Sequence, residues 1–435
     1  MSRRALGHGI AAALLAGEWR PPAMADRVMA ALDPPPPYVT VLVDAVLDAY
    51  HRPPLDRPRE LGAYVAIVLD ELDPLPDPDA DDLDDLLLPE PTPRVVEWGR
   101  FHPEMAFARW PVPRIDTVGD LAAFLGLEVG ALEWFADVRG LERVVNDERL
   151  RHYRYVRVAR KSGPPRVIEA PKPRLKALQR RVLHELLDLI PVHGAAHGFV
   201  GGRSARTHAL AHVGRRVVVR LDLEDFFAGV TAARVFGIFR AAGYPESVAH
   251  VLTGLCTNVV PAQESVPVHW RLSRRLATPH LPQGAPTSPA LANLAAFALD
   301  RRLTGLAAAI GATYTRYADD LVLSSDRRLR TPVAAIGAIA RAEGFRVNAA
   351  KTRVMGRGRR QTVTGVVVNA HPNVPRAEYD TLKATLHRAA LDGPPADLDP
   401  TVLLGRIAWV ESLNPTRGEK LRTAFATITW PPRDS

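Results

Sequence analysis

The chain has 435 residues, 47% of them hydrophobic, with a net charge of +8 and a pI near 9.8. That length suggests two or three domains with sizeable cores, and the basic balance points to a polyanionic partner. The single cysteine excludes an intramolecular disulfide framework, and no stretch reaches the ~20 apolar residues of a membrane span, so a cytoplasmic protein without a membrane partner is expected.

Near the N-terminus, Arg3 and Arg4 precede an apolar run over residues 10–16, and Ala23-Met24-Ala25 imitates a leader cleavage site. The run is short, and Glu18 and Arg20 separate it from that site, so a helix is predicted instead. Residues 1–69 read as helical, with Pro34 to Pro37 as a breaker. Residues 70–94 read as an acidic, Pro-rich linker. Asp70 to Glu90 holds ten acids and no Lys or Arg. Without them the remaining chain carries about +18, so its phosphate binding should weaken steeply with salt. Residues 95–150 read as a second helical stretch, in which Thr117-Val118-Gly119-Asp120 caps a short helix.

The chemistry begins beyond residue 150. Ser162-Gly163-Pro164-Pro165 reads as a hairpin turn, flanked by Lys161 and Arg166, which could neutralise a triphosphate. His208 and His212 lie four apart and share a helical face. A zinc pair would need a third ligand that the sequence does not offer, which leaves an RNA contact or helix packing. The β-branched run from Val217 ends in Asp222, as a buried strand carrying an acid at its tip; Glu224 and Asp225 are alternative acids. Leu281 to Leu294 contains Pro282-Gln283-Gly284, a rigid polar loop suited to a base pair and sugar, before a helix predicted from Ala290 to Leu303.

Tyr317-Ala318-Asp319-Asp320 sits between two apolar runs and reads as a hairpin whose turn carries both acids. Carboxylates buried there are costly without positive charge, and a hard divalent cation suits them. Asp222 and Asp319 bridging two metals, with Asp320 assisting, is an arrangement for phosphoryl transfer. Lys351, after Gly344-Phe345-Arg346-Val347-Asn348, could act as general acid on a leaving pyrophosphate or simply bind phosphate. From Pro375 onward, helices carrying Lys383, Arg388, Arg406, Trp409, Arg417 and Lys420 could track a duplex backbone.

In order, these motifs resemble the reverse transcriptases, and among them the bacterial retron type. Further likeness lies in Arg166-Val167-Ile168 with Pro171, in Gln179-Arg180-Arg181, in Ala196-His197-Gly198-Phe199-Val200 with Arg203, and in Val363-Thr364-Gly365. One departure is His208, where the family usually carries asparagine.

The resemblance implies an α+β right-hand polymerase. Its helical N-terminal extension covers 1–115, fingers and palm 116–370, and a helical thumb 371–435. It implies two Mg²⁺ ions on Asp222, Asp319 and Asp320, and deoxynucleoside triphosphates as substrate. Phe227 would be a sugar gate against the 2′-hydroxyl, Gln283 a contact to sugar and base, and Tyr317 the lining of the primer end. Arg203, His208 and His212 are assigned to RNA. It also implies a structured non-coding RNA as template and primer, and a branched RNA–DNA product begun from an RNA 2′-hydroxyl. With the thumb ending the chain, template removal is expected from a host ribonuclease H, and a separate effector protein in phage defence. The competing readings are another bacterial reverse transcriptase, of diversity-generating or intron-derived type, and a catalytically silent RNA-binding scaffold.

Overall fold

The computed structural model describes residues 1–72, 92–159, 165–264, 268–327, 332–395 and 397–430. Lys161 and most of the predicted acidic linker lie outside the described residues. The chain forms two compact units, each assembled from separate stretches of sequence. One comprises Met1–Arg154, Pro171–Ile190 and Ala232–Thr257; the other comprises Tyr155–Ala170, Pro191–Thr231 and Asn258–Ser435.

The first unit is helical. Helices Arg3–Leu15, Pro21–Ala31, Val39–Ala49 and Pro58–Leu72 enclose a core that includes Ile10, Leu14, Met24, Leu42 and Leu61, all fully buried. The apolar run of residues 10–16 is thus the inner face of the first helix. That helix meets the fourth so closely that a Cβ on Gly7 would lie 2.5 Å from the Gly62 carbonyl oxygen, so only glycine fits at this crossing. Thr117 and Asp120 form the expected reciprocal cap on helix Val118–Leu125. Helix Val129–Phe135 also falls in the predicted second helical stretch, but the start of that stretch differs. Residues 96–117 have no helix, because Pro103, Pro111 and Pro113 remove donors and clash with a helical backbone. Gln179, fully buried, donates to the Tyr153 hydroxyl at 3.0 Å and the Leu255 carbonyl at 2.8 Å, joining three stretches of this unit.

The second unit is built on a four-stranded sheet, preceded in the chain by a two-stranded one. The two-stranded sheet pairs β1 (Tyr153–Val158) with β2 (Arg166–Pro171), and residues 155–170 of it belong to this unit. The larger sheet contains β3 (Val217–Asp222), β4 (Thr313–Tyr317), β5 (Asp320–Ser325) and β6 (Arg353–Gly356), ordered β4-β5-β3-β6 with every neighbour antiparallel. β3 and β5 are central and rich in Val and Leu, as strands buried on both faces require. One sheet face carries Val218, Val322 and Met355 into a core shared with Val363, Val366, Leu382, Leu386 and Ile407. Helices Arg376–Asp392, Pro400–Leu413 and Pro415–Ala426 supply the C-terminal part of that core.

On the opposite face, helix Phe297–Ala309 lies along β4. The single helix predicted over 290–303 is two, Ser288–Ala295 and Phe297–Ala309, interrupted at Ala296. The first starts early because Pro289 fits an opening helical turn.

Candidate active site

Register brings the acids together. Asp222 at the end of β3 stands directly opposite Asp320 at the start of β5, and side chains opposed in this way share a face. Asp319 precedes Asp320 in the turn, where Ala318 adopts a left-handed φ of 54°. The turn is tied to the end of β3, whose Leu223 amide donates to the Asp319 carbonyl at 2.9 Å, while the Asn348 amide donates to the Asp222 carbonyl at 2.7 Å. Three acids more than ninety residues apart at the extremes therefore meet at one end of the sheet's central strands.

Their charge is partly answered by two cations. Arg220 donates to both oxygens of Asp320 at 3.1 and 3.0 Å, and Lys351 to both oxygens of Asp222 at 2.8 and 3.0 Å. Burial pushes the Asp319 carboxyl above its ordinary range, and the neighbouring Asp222 and Asp320 carboxylates push it further. Burial also raises Asp320, against the opposing pull of Arg220. A crowded set of oxygen donors that resists its own negative charge fits a hard divalent cation such as Mg²⁺. Among the described residues, no three Asp, Glu, His or Cys groups already converge as metal ligands; Arg220 and Lys351 hold two of the three acids. The alternative acids are paired elsewhere, Glu224 with Arg346 at 3.6 Å and Asp225 with Arg275 at 3.4 Å.

Beneath the turn lies a buried polar network that sequence reasoning missed. Arg316, on β4 and fully buried, donates to both oxygens of Asp300 at 2.8 and 2.6 Å, to Asn293 Oδ1 at 2.9 Å and to the Ala318 carbonyl at 3.1 Å. The Tyr314 hydroxyl donates to Asp300 at 2.8 Å. The signal was an arginine in a short strand predicted to be buried, since a charge there demands a buried partner. Arg220 had a signal too: two residues before Asp222 on a strand, it must share the same face.

Around the acids, Phe227 is half-buried, with ring centroids 5.7 Å from Phe226 and 6.1 Å from Phe199. Tyr317, opposite Asp320, lies 6.5 Å from Phe199 and 5.8 Å from His208. The Gln283 loop is fastened to β2. Its carbonyl accepts from the Glu169 amide at 2.9 Å, and a Cβ on Gly284, whose φ is +136°, would meet the Glu169 carbonyl at 2.8 Å. The Glu169 side chain is itself buried against His280 at 3.0 Å and Asn258 at 2.8 Å. Arg166 is exposed on the same strand. Among the described residues, no hydrogen bond or ring contact joins Arg166 or Gln283 to the three acids.

The expectation that His208 and His212 contact RNA is corrected: both are fully buried. His212 bonds Ser324 Oγ and Thr315 Oγ1, each at 2.7 Å, and His208 Nδ1 bonds Thr364 Oγ1 at 2.8 Å. Burial pushes both imidazoles down to about 3, so they are neutral packing groups. The Arg203 guanidinium clamps the Gly194 and Ala196 carbonyls beside β4.

The reverse transcriptase (RNA-dependent DNA polymerase) family matches residues 158–369, a span that includes all three acids. The chain is 45% identical to the retron Mx65 reverse transcriptase of Myxococcus xanthus over 73% of each chain. It is 41% identical to the retron Mx162 enzyme of the same organism, over 72% of this chain and 67% of that one. It is 36% identical to the retron Ec86 reverse transcriptase of Escherichia coli, over 54% and 70% respectively. Likeness of that extent, with the acids gathered at the tip of a central antiparallel sheet, places this chain in the retron reverse transcriptases, as an RNA-directed DNA polymerase.

Proposed function

We propose that the protein copies a dedicated structured RNA into single-stranded DNA by magnesium-assisted nucleotidyl transfer at Asp222, Asp319 and Asp320. The observation that carries this reading is the register setting Asp222 against Asp320, with Asp319 adjacent in a fastened turn. Asp222 and Asp319 would hold two ions, with Asp320 assisting in place of its present pairing to Arg220. Bound magnesium supplies the charge that steadies the attacking and leaving oxygens. Phe227 fills the space that a 2′-hydroxyl would need. Gln283 contacts the incoming sugar and base, Arg166 and Lys161 neutralise the triphosphate, and Tyr317 lines the primer end. Lys351 stands ready to give its charge or its proton to the departing pyrophosphate.

In this reading residues 116–370 act as fingers and palm and 371–435 as thumb. Priming from an RNA 2′-hydroxyl leaves a branched RNA–DNA hybrid, trimmed by a host ribonuclease H and serving phage defence through a separate effector protein. The test is to purify the protein from its native locus and treat the bound nucleic acid with ribonuclease. A short DNA of one defined sequence, joined to an RNA branch point, is the expected result. Assorted cellular RNA without DNA would overturn the reading in favour of a scaffold.

A further inference from the structure

Phe199 combines three properties that seldom coincide. Its φ is +61°, a left-handed conformation costly for a bulky side chain. It is 51% exposed. Its ring lies near both Phe227, at 6.1 Å, and Tyr317, at 6.5 Å. Strain of this kind persists only where the surroundings over-determine it, and here they do. The Ala195 carbonyl accepts from the Arg316 amide at 2.8 Å, and the His197 amide donates to the Arg316 carbonyl at 2.7 Å. A Cβ on Gly198 would lie 2.5 Å from the Ala318 amide nitrogen, so this backbone runs directly against the acidic turn. The Gly198 carbonyl accepts from Asn293 Nδ2 at 2.9 Å, and Asn293 belongs to the Arg316 network. The loop is therefore bolted to the turn that carries Asp319, yet it spends that rigidity on an exposed aromatic ring.

We infer that Phe199 is a specificity-determining residue that acts through Phe227. Phe226, buried, contacts the Phe227 ring at 5.7 Å, and Phe199 contacts it at 6.1 Å and supports it as a second wall. A half-buried phenylalanine without that second wall can turn away when a 2′-hydroxyl presses on it. With the wall in place, the ring holds its position and the ribonucleotide is refused. The inference rests on the sugar-gate reading of Phe227.

The test is single-nucleotide incorporation on a supplied primer–template with Mg²⁺, reading the ratio of kcat/KM for deoxynucleotide over ribonucleotide. Phe199→Ala removes the ring and keeps the backbone strain; Phe199→Gly removes both. Both variants are expected to lower the ratio by about tenfold, the scale on which one packing contact alters discrimination. The change should come from improved ribonucleotide use, with kcat for deoxynucleotide and affinity for primer–template unchanged, and Phe199→Tyr should restore the parent ratio. If Phe227→Ala loses discrimination while both Phe199 variants keep it, this inference falls and the gate stands. If the ratio holds and only primer–template affinity drops, Phe199 is a duplex contact and the inference falls likewise. If the parent does not discriminate, or if Phe227→Ala discriminates as well as the parent, both fall together.

Discussion

Asp319 and Arg316 stand on one hairpin and illustrate opposite ways of handling buried charge. Asp319 is buried beside two other carboxylates, so its charge is unfavourable until a cation arrives. Arg316 is paired on all sides, by Asp300, Asn293 and the Ala318 carbonyl. Removing one partner of a buried pair leaves the other charge uncompensated, and Arg316→Met should cost about 3–5 kcal/mol of folding stability. Replacing both partners at once is far milder, because an apolar pair avoids the desolvation penalty. Arg316→Met with Asp300→Leu should therefore recover most of that stability in urea unfolding. The double variant should still incorporate nucleotides poorly, because the Ala318 carbonyl has lost its donor and the turn its anchor. Full recovery of both stability and activity would reduce the network to mere packing.

Among the elements, strands were the more legible. The β3 run and the β4–β5 hairpin announce themselves by β-branched residues and by acids at their tips, and both form where expected. Which acid faces which depends on register, and register is set by pairing across a hundred residues, beyond any local pattern. The two histidines show the same limit. Their spacing predicts a shared helical face, but the helix ends at Leu210 and His212 lies in the turn after it; both rings point inward, toward Ser324, Thr315 and Thr364. Residues 96–117 differ for another reason: three prolines, Pro103, Pro111 and Pro113, keep the segment out of the helix expected over 95–150.

The buried histidines also carry a pH dependence. Burial holds His208 at about 3 in the folded chain, whereas an unfolded histidine titrates near 6.5. The unfolded state therefore takes up the proton first, and stability present above pH 6.5 is lost progressively as the pH falls toward 3. His208→Asn, which cannot titrate, should flatten part of that acid slope while retaining a partner for Thr364. Urea midpoints from pH 7 to 4 measure it; an unchanged slope would mean that His208 is already protonated in the fold.

For the whole molecule, two features stand out: an uneven charge distribution and two units woven from alternating stretches of chain. No helix among the described residues is long and apolar enough to cross a membrane. Ten acids within residues 70–90 mask how basic the remainder is. If the protein neutralises about six to ten phosphates, its RNA affinity should fall about 10³–10⁵-fold between 50 and 200 mM salt. Filter binding across that range checks it, and a flat response would argue that contacts other than phosphate dominate. The interleaved units could not have been read in advance, because stretches such as 171–190 and 232–257 join the first unit through contacts that no local sequence pattern encodes.

The central claim is that Asp222, Asp319 and Asp320 act as one metal-dependent centre. Asp319→Asn tests it with little change of shape, since it removes only the charge. Single-turnover extension of a supplied primer with Mg²⁺ should fall by at least about a thousandfold, on the scale of losing a group that stabilises the transition state, while RNA affinity stays within about threefold of the parent. Extension at near the parent rate would contradict the account.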